Sequence, residues 1–164
     1  MEFVTTLFIV IMILIFLTSI NHYSTKNEPM NYILRSLYHA NLTHLAVNLF
    51  SFYNLSFIET VIGRKQFIIA VIFIWIISSL LLYLIHWVIP SRKVYTVGFS
   101  GVIFGLIVLY YYIMNISQAN ILTHLILGIL PQLYNVGISF EGHLSGIIAG
   151  IIYINIMPSI QKIV

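Results

Sequence analysis

Residues 67–89 run for 23 positions without a Lys, Arg, Asp or Glu. A helix of that length rises about 35 Å, enough to cross a hydrocarbon core of about 30 Å. Pro90 and the polar Ser91-Arg92-Lys93 then close it. The rest of the chain is made in the same way. It is 60% apolar and 7% charged, against roughly 25% charged in soluble domains, so its few charges cannot coat a surface and most of that surface must face lipid. Five more apolar stretches stand at 3–20, 42–58, 98–115, 121–138 and 141–157. The polar segment 21–31, with Lys26, Glu28 and Pro29, reads as the longest loop. Six helices of about 20 residues use about 120 positions, most of the 164 available. The expectation is an all-α, polytopic membrane protein: a bare six-transmembrane-helix bundle forming one domain over residues 1–164.

Composition also removes mechanisms. There is no Cys, which excludes disulfides, thiol nucleophiles and Cys-ligated zinc. There is no Asp either, and the only acids are Glu2, Glu28, Glu59 and Glu141. An aspartyl dyad and a Ser-His-Asp triad are both impossible. No H-E-x-x-H occurs, which removes the commonest zinc-protease helix. The seven basic residues are scattered and the net charge is +3, so no stripe exists for a nucleic-acid partner. The start Met1-Glu2 carries no basic region and no small-x-small site follows, so the first stretch reads as a retained helix. Charge does not orient the chain. With the N-terminus inside, Arg64, Lys65 and Lys162 lie inside, while Lys26, Arg35, Arg92 and Lys93 lie outside; that is no positive-inside bias.

Polar side chains inside lipid are costly and point to function by default. In the second stretch His44 and Asn48 stand four apart on one helical face, and Ser51 and Glu59 continue that stripe. The plain alternative is a polar seam that binds neighbouring helices. His86 and His124 have no polar constellation around them and read as structural; His22 reads as a solvated loop residue. Gly98-Phe99-Ser100-Gly101 opens the fourth stretch. A serine there has an ordinary reading as an N-cap, and a sharper one beside backbone N–H groups that bind a developing oxyanion. In the sixth stretch Gly142, Gly146 and Gly150 repeat at i, i+4 and form a smooth ridge, as Gly101 and Gly105 do in the fourth. Such ridges let membrane helices approach closely. Tyr110-Tyr111-Tyr112 suits an interface belt, Gly128 and Pro131 are expected to kink the fifth helix, and Pro158 to end the sixth.

Topology brings these groups to one depth. The second, fourth and sixth helices start on the same face, because two crossings separate each from the next. His44, Ser100 and His143 each stand about two residues into their helices, a few ångströms from that face.

At this point the chain resembles the rhomboid intramembrane serine proteases. The residues that carry the resemblance are His39-Ala40-Asn41-Leu42-Thr43-His44-Leu45-Ala46-Val47-Asn48, then Gly98-Phe99-Ser100-Gly101, then Gly142-His143 with Gly146 and Gly150. Glu59 before Gly63 looks like the family's acid at the far end of the second helix. The resemblance implies Ser100 as nucleophile and His143 as general base, with His44 and Asn48 lining an oxyanion hole beside the serine's own N–H. Phe104 falls where the family often has an aromatic ring under the catalytic imidazole. It implies a single-span membrane protein as substrate, admitted laterally near the fifth helix, and no metal or cofactor. One departure stands in the first loop. Where well-known rhomboids carry a Trp-Arg pair, this chain has Met30 and Asn31, with Arg35 closer to His39.

Two other readings use the same polar groups. A non-catalytic rhomboid-like protein would bind membrane clients, but such proteins usually lack the serine or the histidine, and this chain has both. A small channel or transporter predicts an acid or a repeat near the midplane, and neither is present.

Overall fold

A computed structural model describes residues 2–18, 24–90, 95–130 and 139–157. His22, Arg92, Lys93, Pro131, Pro158 and Lys162 lie outside the described residues, as does the side chain of His124. The described chain is all-helical, in the order α1 (Phe3–Leu17), α2 (Glu28–Arg35), α3 (Leu42–Asn54), α4 (Phe57–Ile62), α5 (Arg64–Val88), α6 (Ser100–Ile113), α7 (Gln118–Ile129) and α8 (Phe140–Ile156). Two stretches are long and apolar enough to cross a membrane, Leu42–Ile62 and Arg64–Val88. α1, α6 and α8 are apolar but shorter.

Two elements differ from the sequence reading. The segment 21–31, read as loop, contains the start of α2. Asn27 caps it by accepting from the Met30 N–H at 3.2 Å, and Pro29 sits in its first turn, where no intrahelical donor is needed. The helix is amphipathic: it buries Asn31 and Tyr32 and leaves Met30 exposed. Trp75 of α5 holds it by donating Nε1–H to the Ile33 carbonyl at 2.9 Å and to the Ser36 hydroxyl.

The second apolar stretch is two helices, not one. At its break Leu55 and Ser56 donate to Phe52 and Tyr53, three residues back, the tightened geometry of a helix end. The expected stripe from His44 through Glu59 is therefore interrupted. Glu59, 2% exposed, turns to α1: its carboxylate accepts from the Val4 and Thr5 N–H groups, each at 2.9 Å, and from the Thr5 hydroxyl at 3.0 Å. Three donors and the positive end of α1 satisfy a charge that would otherwise be prohibitive to bury. Gly63, at φ +81°, turns the chain from α4 into α5 in the left-handed region that glycine tolerates.

The core is aromatic at its centre. Phe52 of α3 meets Phe8 of α1, Phe67 of α5 and Phe99 before α6, and all four rings are buried. α6 and α8 instead meet backbone to backbone. A Cβ at Gly146 would overlap the Gly101 carbonyl oxygen, and one at Gly150 would lie 2.5 Å from that of Gly105. The two glycine ridges face each other, and no side chain fits between them.

Candidate active site

Ser100 is the first residue of α6, and Phe99 takes the cap position before it. Phe99 is fully buried and packs edge-on against Phe52 (5.3 Å between centroids) and beside Phe8 (5.7 Å). That anchor fixes the backbone at its neighbour. Ser100 itself is half-buried, and the N–H groups of this first helical turn have no intrahelical acceptor. On the other side Gly98 adopts φ +113° and donates its N–H to the Arg35 carbonyl at 3.1 Å. The end of α2 thus holds the approach to the serine.

His143 lies in the first turn of α8. Ser139 caps that helix by accepting from the Gly142 N–H at 3.0 Å. The imidazole Nε2 stands 2.7 Å from the Ser100 hydroxyl oxygen. Phe104, one turn below Ser100, stacks on the imidazole at 4.4 Å and 27°. The pair spans two helices, so its separation depends on how closely they approach. A Cβ at Gly101 would sit 3.0 Å from the Gly142 carbonyl oxygen, directly beside the pair; the ridge is therefore part of the site.

His44 and Asn48 come from α3. Asn41 caps this helix, accepting from the His44 N–H at 2.8 Å. The Ala40 N–H points at His44 Nδ1 at 3.5 Å, which favours the tautomer with hydrogen on Nε2. That edge of the ring packs over Gly98: a Cβ there would lie 2.6 Å from Cε1 and 2.7 Å from Nε2. Only glycine lets the imidazole come this close to the serine loop. Asn48, 3% exposed, donates one Nδ2–H to the His44 carbonyl at 2.9 Å and has a second left. Its bond lies within its own helix and does not reach Ser100.

Two neighbours add to the site: His39, which stands in the sequence motif without a role assigned to it, and a cavity. His39 is buried with its ring 5.2 Å from that of His44. Burial, then the nearby His44, lower its pKa to about 4, with the Leu37 backbone offsetting part of the effect. Ser100 lines a cavity of about 40 Å³ together with Ser36, Ser78, Ser79, Thr96 and Ser139. A water needs roughly 10–15 Å³ on the same measure, so the space suits a few. No group of three or more His, Cys, Asp or Glu able to hold a metal occurs among the described residues.

A hydroxyl hydrogen-bonded to an imidazole, beside unpaired backbone N–H groups and a water-sized polar cavity, is equipped for nucleophilic acyl transfer. On this geometry the class is a helical membrane protein with a serine–histidine pair at the start of two contacting helices. Residues 26–159 match the family model for the Rhomboid domain. The chain is 49% identical over 158 residues to "Putative rhomboid protein L523" of Acanthamoeba polyphaga mimivirus, an alignment covering 96% of this chain and 92% of that protein. It is 32% identical over 133 residues to "Uncharacterized protein Rv1337" of Mycobacterium tuberculosis, covering 73% of this chain and 55% of the other. The chain belongs to the rhomboid family.

Proposed function

We propose that this rhomboid is an active intramembrane serine endopeptidase. The observation that carries the reading is the 2.7 Å contact between Ser100 Oγ and His143 Nε2. Ser100 attacks the carbonyl carbon of a peptide bond within or beside the transmembrane segment of a single-span protein. His143 Nε2 takes the hydroxyl proton. The tetrahedral oxyanion receives N–H bonds from the Ser100 backbone, from His44 Nε2 and from the second Nδ2–H of Asn48. As the C–N bond breaks, His143 returns the proton to the departing amine. Water from the hydroxyl-lined cavity then attacks the acyl-enzyme, again deprotonated by His143. Stacking on Phe104 helps to orient the base.

The chain acts as a single domain of six spans formed by α1, α3 with α4, α5, α6, α7 and α8, integral to its membrane, with α2 lying at the surface. α6 has 14 residues and rises about 21 Å, less than a hydrocarbon core of about 30 Å. With its C-terminal end at one face, its first residue, Ser100, sits below the other, at a depth where a transmembrane peptide bond is found.

A fluorophosphonate probe on the purified protein in detergent tests the nucleophile. Labelling of wild type and none of Ser100→Ala is expected; equal labelling of both would falsify the assignment. Cleavage of a reconstituted single-span protein by wild type, and not by His143→Ala, tests the reaction itself.

A further inference from the structure

Arg35, the last residue of α2, engages one short segment twice. Its carbonyl accepts the Tyr38 N–H at 3.0 Å, in the turn that ends the helix, and the Gly98 N–H at 3.1 Å, one bond for each lone pair. Its guanidinium lies over two rings, 4.7 Å from the centre of Tyr32 and 4.9 Å from the centre of Tyr95, both within the range of a cation–π contact. Tyr32 is buried in α2 and Tyr95 is 64% exposed. The side chain thus reaches from a packed helix to a residue on the surface.

Tyr95 and Gly98 are the two ends of the segment that leads into Ser100. Residues 95–97 belong to no helix or strand, so what fixes them must come from a neighbour. α2 is a firm support: Trp75 bonds the Ile33 carbonyl and the Ser36 hydroxyl, and the Tyr32 hydroxyl stands 3.0 Å from His86 Nδ1. Tyr32 and Ser36 line the cavity beside Ser100 together with Thr96, Val97 and Gly98, so Arg35 joins two of its walls. Gly98 in turn lies so close to the His44 imidazole that no Cβ fits between them. A shift of the segment therefore moves His44 and the Ser100 N–H together, the two groups that meet the oxyanion from this side.

We propose that Arg35 is a positioning residue of the active site. Bound to Gly98 by its carbonyl and to Tyr95 by its guanidinium, it holds residues 95–98 where His44 and the Ser100 N–H converge. It touches neither substrate nor the reacting atoms. That role rests on the protease reading; the hold on the segment does not. A substitution at position 35 keeps the carbonyl and removes the ring contacts, so it reports on the side chain alone.

The test is a double-mutant cycle between Arg35 and Tyr95, in the full chain reconstituted with a single-span substrate. Tyr95 is exposed, so Tyr95→Leu leaves the core intact. Arg35→Gln and Tyr95→Leu are each expected to lower kcat about tenfold, the scale of one cation–π contact, with KM and the unfolding temperature little changed. The double variant should fall no further than Arg35→Gln alone, and Tyr95→Phe, which keeps the ring face, should keep the wild-type rate. Unchanged kcat in both single variants overturns the proposal, as do losses that multiply in the double variant. A rise in KM at constant kcat also overturns it, because it would make the pair a substrate contact. Hydrogen exchange of the 95–98 amides is measured on the Ser100→Ala background, where no activity is needed. Faster exchange on adding Arg35→Gln or Tyr95→Leu supports the hold, and unchanged exchange in both refutes it. A wild type that neither labels with fluorophosphonate nor cleaves substrate sinks the protease reading; one that does both, while the variants keep its kcat, sinks only the role of Arg35.

Discussion

Phe104 and His143 touch face to face at 4.4 Å, and that contact helps to hold the imidazole against Ser100. Phe104→Ala frees the imidazole to swing away from Ser100. A displacement of about 1 Å costs roughly 10²-fold in rate, so kcat in a reconstituted cleavage assay should fall by about that much with KM little changed, while Phe104→Tyr keeps the stack and most of the rate. Asn48 makes a different prediction, because its free Nδ2–H is called on only when charge develops. Asn48→Ala should lower kcat by about 10²–10³ and leave fluorophosphonate labelling of Ser100 detectable; an unchanged kcat would make it a packing residue. His39 makes stability depend on pH. Its folded pKa of about 4 lies below the unfolded value near 6.5, so the unfolded chain takes up the proton first as pH falls. Stability is full above about pH 6.5, declines towards pH 4 and levels off below it. Thermal unfolding in detergent across this range should show that decline, and His39→Gln should make it shallower. A variant as pH-sensitive as wild type would place the titration elsewhere.

The glycine ridges of α6 and α8 set the distance between Ser100 and His143 from below. Gly146→Ala places a methyl on the Gly101 backbone, which cannot move as a side-chain tip can. It should separate the helices, abolish labelling of Ser100 and lower the unfolding temperature together; a variant that labels normally would show the ridge to be slack. Helix spacing of this kind was readable in advance, because i, i+4 glycines have one strong structural use in an apolar helix. So were the starts of α3, α6 and α8, where polar residues interrupt apolar runs. The break between α3 and α4 was not readable. The break has no Pro or Gly at Leu55 or Ser56, and the contact that accompanies it, Glu59 on the backbone of α1, lies 54 and 55 residues away in sequence. α2 was missed for the opposite reason. Asn27 and Pro29 announce a helix start, but eight residues are too few for periodicity to stand out in a polar segment. The hydroxyl-lined cavity depends on side chains from several elements meeting, which no spacing within one element encodes.

Several apolar helices among the described residues are short for spanning a membrane. α1, α6 and α8 have 15, 14 and 17 residues and rise about 22, 21 and 26 Å, all short of a hydrocarbon core of about 30 Å. Among the described residues α5, at 25 residues, and the α3–α4 pair, at 21 from Leu42 to Ile62, are long enough to match it. A bilayer meets such a protein by thinning around it, at fractions of a kcal/mol per ångström of mismatch. Thinning has a consequence at the site, because α6 carries Ser100 at its end. Where the bilayer is thin, the serine and its hydroxyl-lined cavity come closer to water, which the acyl-enzyme needs. Where it is thick, lipid presses on the face at which α3, α6 and α8 begin, and the ends of the short helices are buried further. Cleavage of one single-span substrate should therefore be fastest in vesicles of short-acyl lipid and slow steadily through medium- and long-acyl lipid of the same headgroup. The slowing should appear in kcat, because the depth of water and not the affinity for substrate is what changes. A rate indifferent to acyl length would mean that the loop before Ser100 opens to water by itself, and that the shortness of α6 plays no part in hydrating the site.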